Sequence, residues 1–222
     1  LTGFHRTTSE IAKRDALTER IGGANLRYKR RGLQFGLAGV YQGYDRDYSK
    51  SIQPYNQFDF RGKENISISG DYSLVLRNIN FFGEVSNVSY SNDFAFLQGM
   101  IIALDSKASL SVLYRNYGKA YQTLYNNAFA ESSRTQNESG LYIGLRTKLN
   151  KAWTINTYID LFKQNWLRYQ VNQPSRGNEY LFQSTYKPNK KMEIYARFRQ
   201  QLKQKNSRIK DETLTEIEDL TQ

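Results

Sequence analysis

The sequence predicts an all-β fold: an up-and-down antiparallel transmembrane β-barrel of which about ten strands are present, preceded by a short N-terminal helix. Three observations predict it. Segments of about ten residues in which every second residue is apolar repeat along most of the chain, the signature of an outer-membrane barrel strand. The connections between them alternate between tight and long. Tyr is abundant, with 17 Tyr and 12 Phe among 222 residues, as expected where amphipathic rings line both membrane interfaces.

The elements follow in order. Residues 7–21 read as a short helix: Thr7 or Thr8 caps it, and Glu10 completes a capping box from Thr7. Ile11, Leu17 and Ile21 supply a thin apolar stripe, and Gly22-Gly23 supplies the stop. Strands are expected at 23–30, 33–43, 65–76, 79–90, 93–104, 108–117, 140–149, 152–163, 178–187 and 191–201. In 65–76, Ile66, Ile68, Tyr72 and Leu74 alternate with Ser67, Ser69, Asp71 and Ser73, a half-buried strand pattern. Leu110, Val112 and Tyr114 oppose Ser109, Ser111 and Arg115, and Leu141, Ile143, Leu145 and Leu149 oppose Tyr142, Arg146 and Lys148. Trp153, Ile155, Ile159 and Leu161 oppose Thr154, Asn156, Tyr158 and Asp160. Met192, Ile194, Ala196 and Phe198 oppose Glu193, Tyr195, Arg197 and Arg199.

Arg31-Gly32, Lys107-Ala108, Lys151-Ala152 and Pro188-Asn189-Lys190-Lys191 make tight connections. Long ones lie at 44–64, 118–137 and 164–177. Counting strands up and down places all the long loops on one rim, extracellular if the short turns are periplasmic. Ser91-Asn92 keeps this parity despite its brevity. The chain divides into a loop and short helix over 1–22, a barrel portion over 23–201, and a charged tail or start of a further loop over 202–222. Helix and tail fall on the long-loop rim. A barrel entered and left on that side is incomplete, so the chain reads as a fragment, with further strands expected before residue 1, after residue 222, or both.

Composition agrees with this class. No apolar run approaches the roughly 18 residues of a spanning helix. Mean hydropathy is −0.71, which a barrel tolerates because only alternate residues meet lipid. Net charge is +11 and the pI is 9.7. The basic residues are dispersed, as on solvated turns and rims. There is no Cys, so neither disulfides nor a thiolate metal site is available.

If the apolar face meets lipid, the other faces a lumen. The lumen then holds Asp71, Glu84, Asp160 and Glu193 with Arg115, Arg146, Lys148, Arg197 and Arg199. Mixed signs there predict cross-strand ion pairs in a narrow interior, whereas a selective pore carries a charge bias. Tyr72, Tyr114, Trp153, Trp166 and Tyr169 are the aromatic-girdle candidates. His5 is the only histidine and reads as a rim residue. It rules out a multi-His metal site and leaves no catalytic triad without it. The carboxylates Asp45, Asp47, Asp59, Glu131 and Glu138 match no calcium-loop spacing and read as solvated loop charge. Gly22-Gly23 and Arg61-Gly62-Lys63 lack the rest of a phosphate-binding motif. No cofactor, metal or catalytic residue is expected. Aromatic–basic stretches such as Trp166-Leu167-Arg168-Tyr169 fit an interface girdle better than a stacking platform for single strands or sugars.

Several stretches carry a family resemblance: Gly3-Phe4-His5-Arg6-Thr7, Phe58-Asp59-Phe60-Arg61-Gly62-Lys63, Phe82-Gly83-Glu84, Leu113-Tyr114-Arg115, Asn127-Ala128-Phe129-Ala130-Glu131, Asn137-Glu138-Ser139-Gly140 and Pro174-Ser175-Arg176-Gly177. On these, residues 1 to about 205 resemble the C-terminal outer-membrane barrel region of Bacteroidetes-type proteins whose N-terminal part carries competence-like helix-hairpin-helix repeats. The resemblance implies a Gram-negative outer-membrane location. It also makes DNA a possible partner, and DNA uptake one possible function, of the parent protein, through a part that this chain lacks, so no DNA-binding residue carries over.

The expectation is a non-enzymatic integral outer-membrane barrel serving as channel, anchor or assembly partner, with outer-membrane lipid and other envelope proteins as partners. The alternatives are a DNA-handling surface protein and a soluble β-barrel binding protein with its apolar face turned inward. A barrel-embedded hydrolase is the weakest reading, for want of a nucleophile–base pair.

Overall fold

The computed structural model describes residues 4–206, apart from Lys13 and Leu124, and the backbone of 217–221. It is one antiparallel sheet in strict sequence order. The strands are β1 (Glu19–Arg30), β2 (Leu33–Tyr48), β3 (Gly62–Leu76), β4 (Ile79–Val88), β5 (Asp93–Asp105), β6 (Ala108–Tyr117), β7 (Glu138–Lys148), β8 (Trp153–Gln164), β9 (Ser175–Asn189), β10 (Met192–Asn206) and β11 (Ile217–Thr221). Each pairs with its chain neighbours. Among the described residues β1 and β11 have no second partner, so the sheet is open rather than closed on itself.

The expected alternation of connections is present. Two to four residues join β1–β2, β3–β4, β5–β6, β7–β8 and β9–β10 at one rim. At the other rim, β2–β3, β6–β7 and β8–β9 are joined by 49–61, 118–137 and 165–174. Ser89–Asn92 is the brief exception, turned by Asn92 at φ 53°. Gly32, at φ 73°, supplies the left-handed backbone that the Arg31-Gly32 turn needs.

Several boundaries differ from the sequence expectation. The helix α1 is four residues, Thr8–Ile11, not 7–21. Its cap is as expected, with Thr7 Oγ1 accepting from the Glu10 N–H at 3.3 Å. One turn is all that forms, because the apolar stripe beyond Ile11 is too sparse to hold a longer helix against a partner. Ile21 and Gly22-Gly23 lie inside β1 instead, and Gly22-Gly23 stops no helix. Asp45 and Asp47 lie on β2 and Glu138 on β7, not in loops. Pro188 lies within β9 rather than in a turn. The register shifts beside it, between Met192 and Ile194, and a bulge is where a strand tolerates a residue without an N–H. The residues expected as a tail divide. β10 runs to Asn206, and 217–221 return as β11 with Asn206 opposite Ile217. Residues 207–216 and 222 lie outside the described residues.

The two faces are inverted relative to a water-soluble sheet. On one, register pairing links Leu33, Leu74, Phe81, Met100, Val112, Ile143, Ile159 and Tyr180 in a row across β2 to β9. A second row runs Leu76, Ile79, Ile102, Leu110, Leu145, Thr157, Phe182 and Phe198 across β3 to β10. This face is open: Leu26, Leu37, Ile68 and Phe198 are all more than 60 % exposed. The other face carries Ser, Asn, Gln and charge, and there the buried residues gather. They include Gln42, Asn65, Ser86, Arg115, Glu138, Asp160, Glu179 and Gln201.

Candidate functional site

What buries the polar face is the segment 118–137. Its anchors cross the sheet. Tyr121 donates to Ser86 Oγ on β4 at 3.0 Å. Gln122 accepts from the Phe60 N–H at 2.6 Å through its side chain, and from Asn65 Nδ2 on β3 at 3.1 Å through its backbone carbonyl. Tyr125 donates to Glu19 Oε2 on β1 at 2.6 Å. Glu131 accepts from Gln201 Nε2 on β10 at 3.0 Å and pairs with Lys203.

Residues 125 and 131 therefore touch the first and tenth strands. In a flat sheet those strands stand nine spacings apart, roughly 43 Å. Six residues reach about 20 Å when extended, and this segment bends at Phe129. The sheet curls its polar face around the segment. Val88, Ala95, Tyr117 and Tyr121 pack there as a small apolar core with Tyr90, Ala128 and Ala130. Burial holds the Tyr90 phenol above its ordinary pKa.

Under the segment lies a charge cluster. Arg115 is fully buried. Its Nε donates to Glu138 Oε1 at 2.6 Å, while Nη1 and Nη2 donate to Asp160 Oδ1 and Oδ2 at 2.8 and 3.1 Å. Glu138 also accepts the Glu131 and Ser132 N–H groups, at 2.9 and 3.1 Å. Phe129 covers the guanidinium, its ring centroid 5.3 Å from Cζ. Gly140 makes room for it, since a Cβ there would lie 2.5 Å from Arg115 Cζ. Alongside, Glu179 accepts from Arg199 Nε and Nη2 at 2.8 and 2.7 Å, from Gln201 Nε2 at 2.6 Å, and from the Tyr158 hydroxyl. Each carboxylate has several donors, which a buried ion pair requires.

All nine lumen candidates lie on this polar face, but only some meet a counter-ion. Arg115 and Asp160 meet each other. Arg199 meets Glu179, and Glu193 meets Lys187 on β9 at 2.7 Å. Arg197 donates to Gln183 Oε1 at 2.7 Å. Asp71 and Glu84 lie directly opposite each other on β3 and β4. Among the described residues Asp71, Glu84, Arg146, Lys148 and Arg197 make no ion pair, so the expected pairing extends to only part of the face. Sequence reasoning missed Glu138, Glu179 and Gln201. The parity of Glu179 with Gln183 and Thr185, against Tyr180 and Phe182, is the signal the sequence carries. Glu138 reads as loop charge in the sequence because its strand begins two residues earlier than the pattern implies.

The girdle candidates divide as well. Tyr72 and Tyr114 lie on the exposed apolar face in one register row with Gln98, Tyr114 directly opposite it and Tyr72 two strands away across Gly83; Gln98 accepts from the Tyr72 hydroxyl at 2.7 Å. Trp153 stands at the short-turn rim against Tyr186, ring centroids 4.8 Å apart. Trp166 and Tyr169 leave the sheet for the 165–174 loop. Trp166 packs edge-on against Phe58, with Lys119 Nζ 4.4 Å and 5.2 Å from the Phe58 and Trp166 rings. Asn137, at φ 55°, holds Trp166 by exchanging side-chain bonds with its backbone, 2.8 Å to its N–H and 2.9 Å to its carbonyl. A mouth cavity of about 360 Å³ lies between these rings, Tyr55, Tyr169, Asp59 and Arg168. Asp59 binds Arg134 and Gln136, at 3.1 and 3.2 Å. Burial lowers the pKa of Arg168 from its ordinary value.

Among the described residues no three His, Cys, Asp or Glu side chains gather as a metal would need. His5 is exposed ahead of α1. The arrangement fastens a loop segment inside a curled sheet and leaves an aromatic, basic mouth above it. No family model matches this chain, and no curated protein matches it.

Proposed function

We propose that this chain forms part of an integral outer-membrane β-barrel, a non-enzymatic protein acting as channel, anchor or assembly partner, with membrane lipid around it. The observation that carries the reading is the inverted pair of faces. Two continuous apolar rows cross eight strands on the exposed face, while charge and amides are buried on the other. In water, an exposed apolar surface of this extent is a liability. In a bilayer it is the lipid-facing band, and the polar face becomes the lumen. The segment 118–137 would then narrow that lumen from the long-loop rim. The open edges at β1 and β11 fit a barrel completed by further strands.

The test is fractionation of the full-length protein in its native cell, with heat-modifiable gel migration as the readout. The expected result is a detergent-extracted outer-membrane species whose mobility changes on boiling. Recovery in the soluble fraction without a heat shift would overturn the reading in favour of a soluble β protein.

The mouth supports a second reading, a surface that handles DNA. Lys119, Arg134 and Arg168 lie there with Tyr55, Trp166 and Tyr169, the pairing of cation and ring that suits single strands. Binding of a single-stranded oligonucleotide that weakens steeply with salt supports it. Binding that is absent or insensitive to salt removes it.

A further inference from the structure

We propose that the exposed face of β6–β9 holds an anionic lipid headgroup at the long-loop end of its apolar band. This rests on the membrane reading above and names the lipid chemistry it would select.

The boundary is abrupt. One register row, Tyr114–Leu141–Leu161–Asn178, is mainly apolar. The next row toward the long loops, Asn116–Ser139–Lys163–Arg176, is wholly polar. Both rows line a single groove of about 800 Å³.

Lys163 and Arg176 are directly opposed across β8 and β9. Like charges in that position destabilise a sheet. Neither side chain has an acidic partner among the described residues, and both are exposed on the groove. An anion between them would remove the repulsion. The guanidinium offers the forked donors that suit a phosphate or carboxylate. Below them Asn178 adds a neutral amide to the lining of the same groove. The apolar row then offers Tyr114, Leu141 and Leu161 to an acyl chain. Cations, a neutral amide and an apolar wall thus follow one another from the long-loop rim toward the middle of the sheet, the order of groups along an anionic lipid.

The experiment refolds the full-length protein into phosphatidylcholine vesicles with and without phosphatidylglycerol. Insertion is read by heat-modifiable migration, and the lipid retained after detergent extraction by native mass spectrometry. Wild type is expected to insert into both and to retain phosphatidylglycerol preferentially. K163Q/R176Q is expected to insert equally well and lose about twenty-five-fold in that preference, about fivefold per cation near a charged surface. K190Q/K191Q, at the opposite rim, is expected to keep it. The proposal is overturned if wild type inserts without preference, if K163Q/R176Q keeps the preference, or if both variants lose it alike. Failure of wild type to insert at all overturns the membrane reading itself, and this proposal with it.

Discussion

Arg115 and Asp160 form a bidentate pair across the intervening β7, with Nη1–Oδ1 2.8 Å and Nη2–Oδ2 3.1 Å. The arginine spends its remaining Nε–H on Glu138 at 2.6 Å. Three strands are thereby tied beneath the segment 118–137 by one guanidinium that water does not reach.

That geometry predicts an asymmetry among variants. Arg115→Ala leaves two carboxylates facing each other without a cation and is expected to cost about 3–5 kcal/mol, because breaking a buried pair strands its charge. Arg115→Met combined with Glu138→Gln and Asp160→Asn removes the charges together and is expected to cost less. Thermal unfolding of the folded species in detergent, followed by heat-modifiable migration, ranks them. A triple variant less stable than Arg115→Ala would contradict the account.

Gly140 is expected to resist substitution. A Cβ at this position would sit 2.5 Å from Arg115 Cζ, and a pinned guanidinium cannot give way cheaply. Gly140→Ala should cost about 1–3 kcal/mol, as overpacking does. Gly39→Ala is the control, since a Cβ there meets nothing within 4 Å. Equal stability of the two variants would show that the room beneath Arg115 is not needed.

The exposed face supplies a third contrast. Leu37 and Phe198 are 61 % and 63 % exposed. If they face lipid, Leu37→Arg and Phe198→Arg should each cost up to about 2–4 kcal/mol, falling with distance from the midplane. If they face water, each should stay within about 0.5 kcal/mol of wild type. Unfolding titrations in lipid vesicles separate these outcomes.

The fourth prediction concerns pH. Tyr125, in the loop, donates to Glu19, and that bond first, with burial second, raises its phenol pKa. A group whose folded pKa is raised stabilises fully below its unfolded pKa, about 10. That support is lost as pH rises through the folded value. The loop should therefore hold its place on β1 through neutral pH and loosen above about 10. Tyr125→Phe should loosen it at every pH, by about 0.5–1.5 kcal/mol at most, and less for so exposed a ring. Protease accessibility of 118–137 across pH is the readout, and a wild-type profile that matches Tyr125→Phe would dismiss the contact.

Strand identity and facing were legible in the chain because alternation is a local property. Once Ile66, Ile68 and Leu74 share a face, Ser67, Ser69 and Asp71 must share the other. The same holds for Leu141 and Ile143 against Tyr142 and Arg146, so period and turn spacing alone determined an up-and-down sheet with its long loops at one rim. Helix length was not legible: a cap at Thr7 or Thr8 was plain, but only the surroundings decide whether one turn continues. Nor did local pattern reveal which charges meet. Arg115 and Asp160 are 45 residues apart, and Asp71 and Glu84 look no different in sequence yet meet no cation among the described residues. The pairing register places Glu138 on the strand beside Arg115, Asp160 one strand further on, and Glu179 on the strand beside Arg199, and the loop 118–137 then covers Arg115 and Glu138. A charge is stable in the interior only where the fold brings several donors to it at once, and that convergence of residues far apart in sequence is a property of the tertiary structure alone.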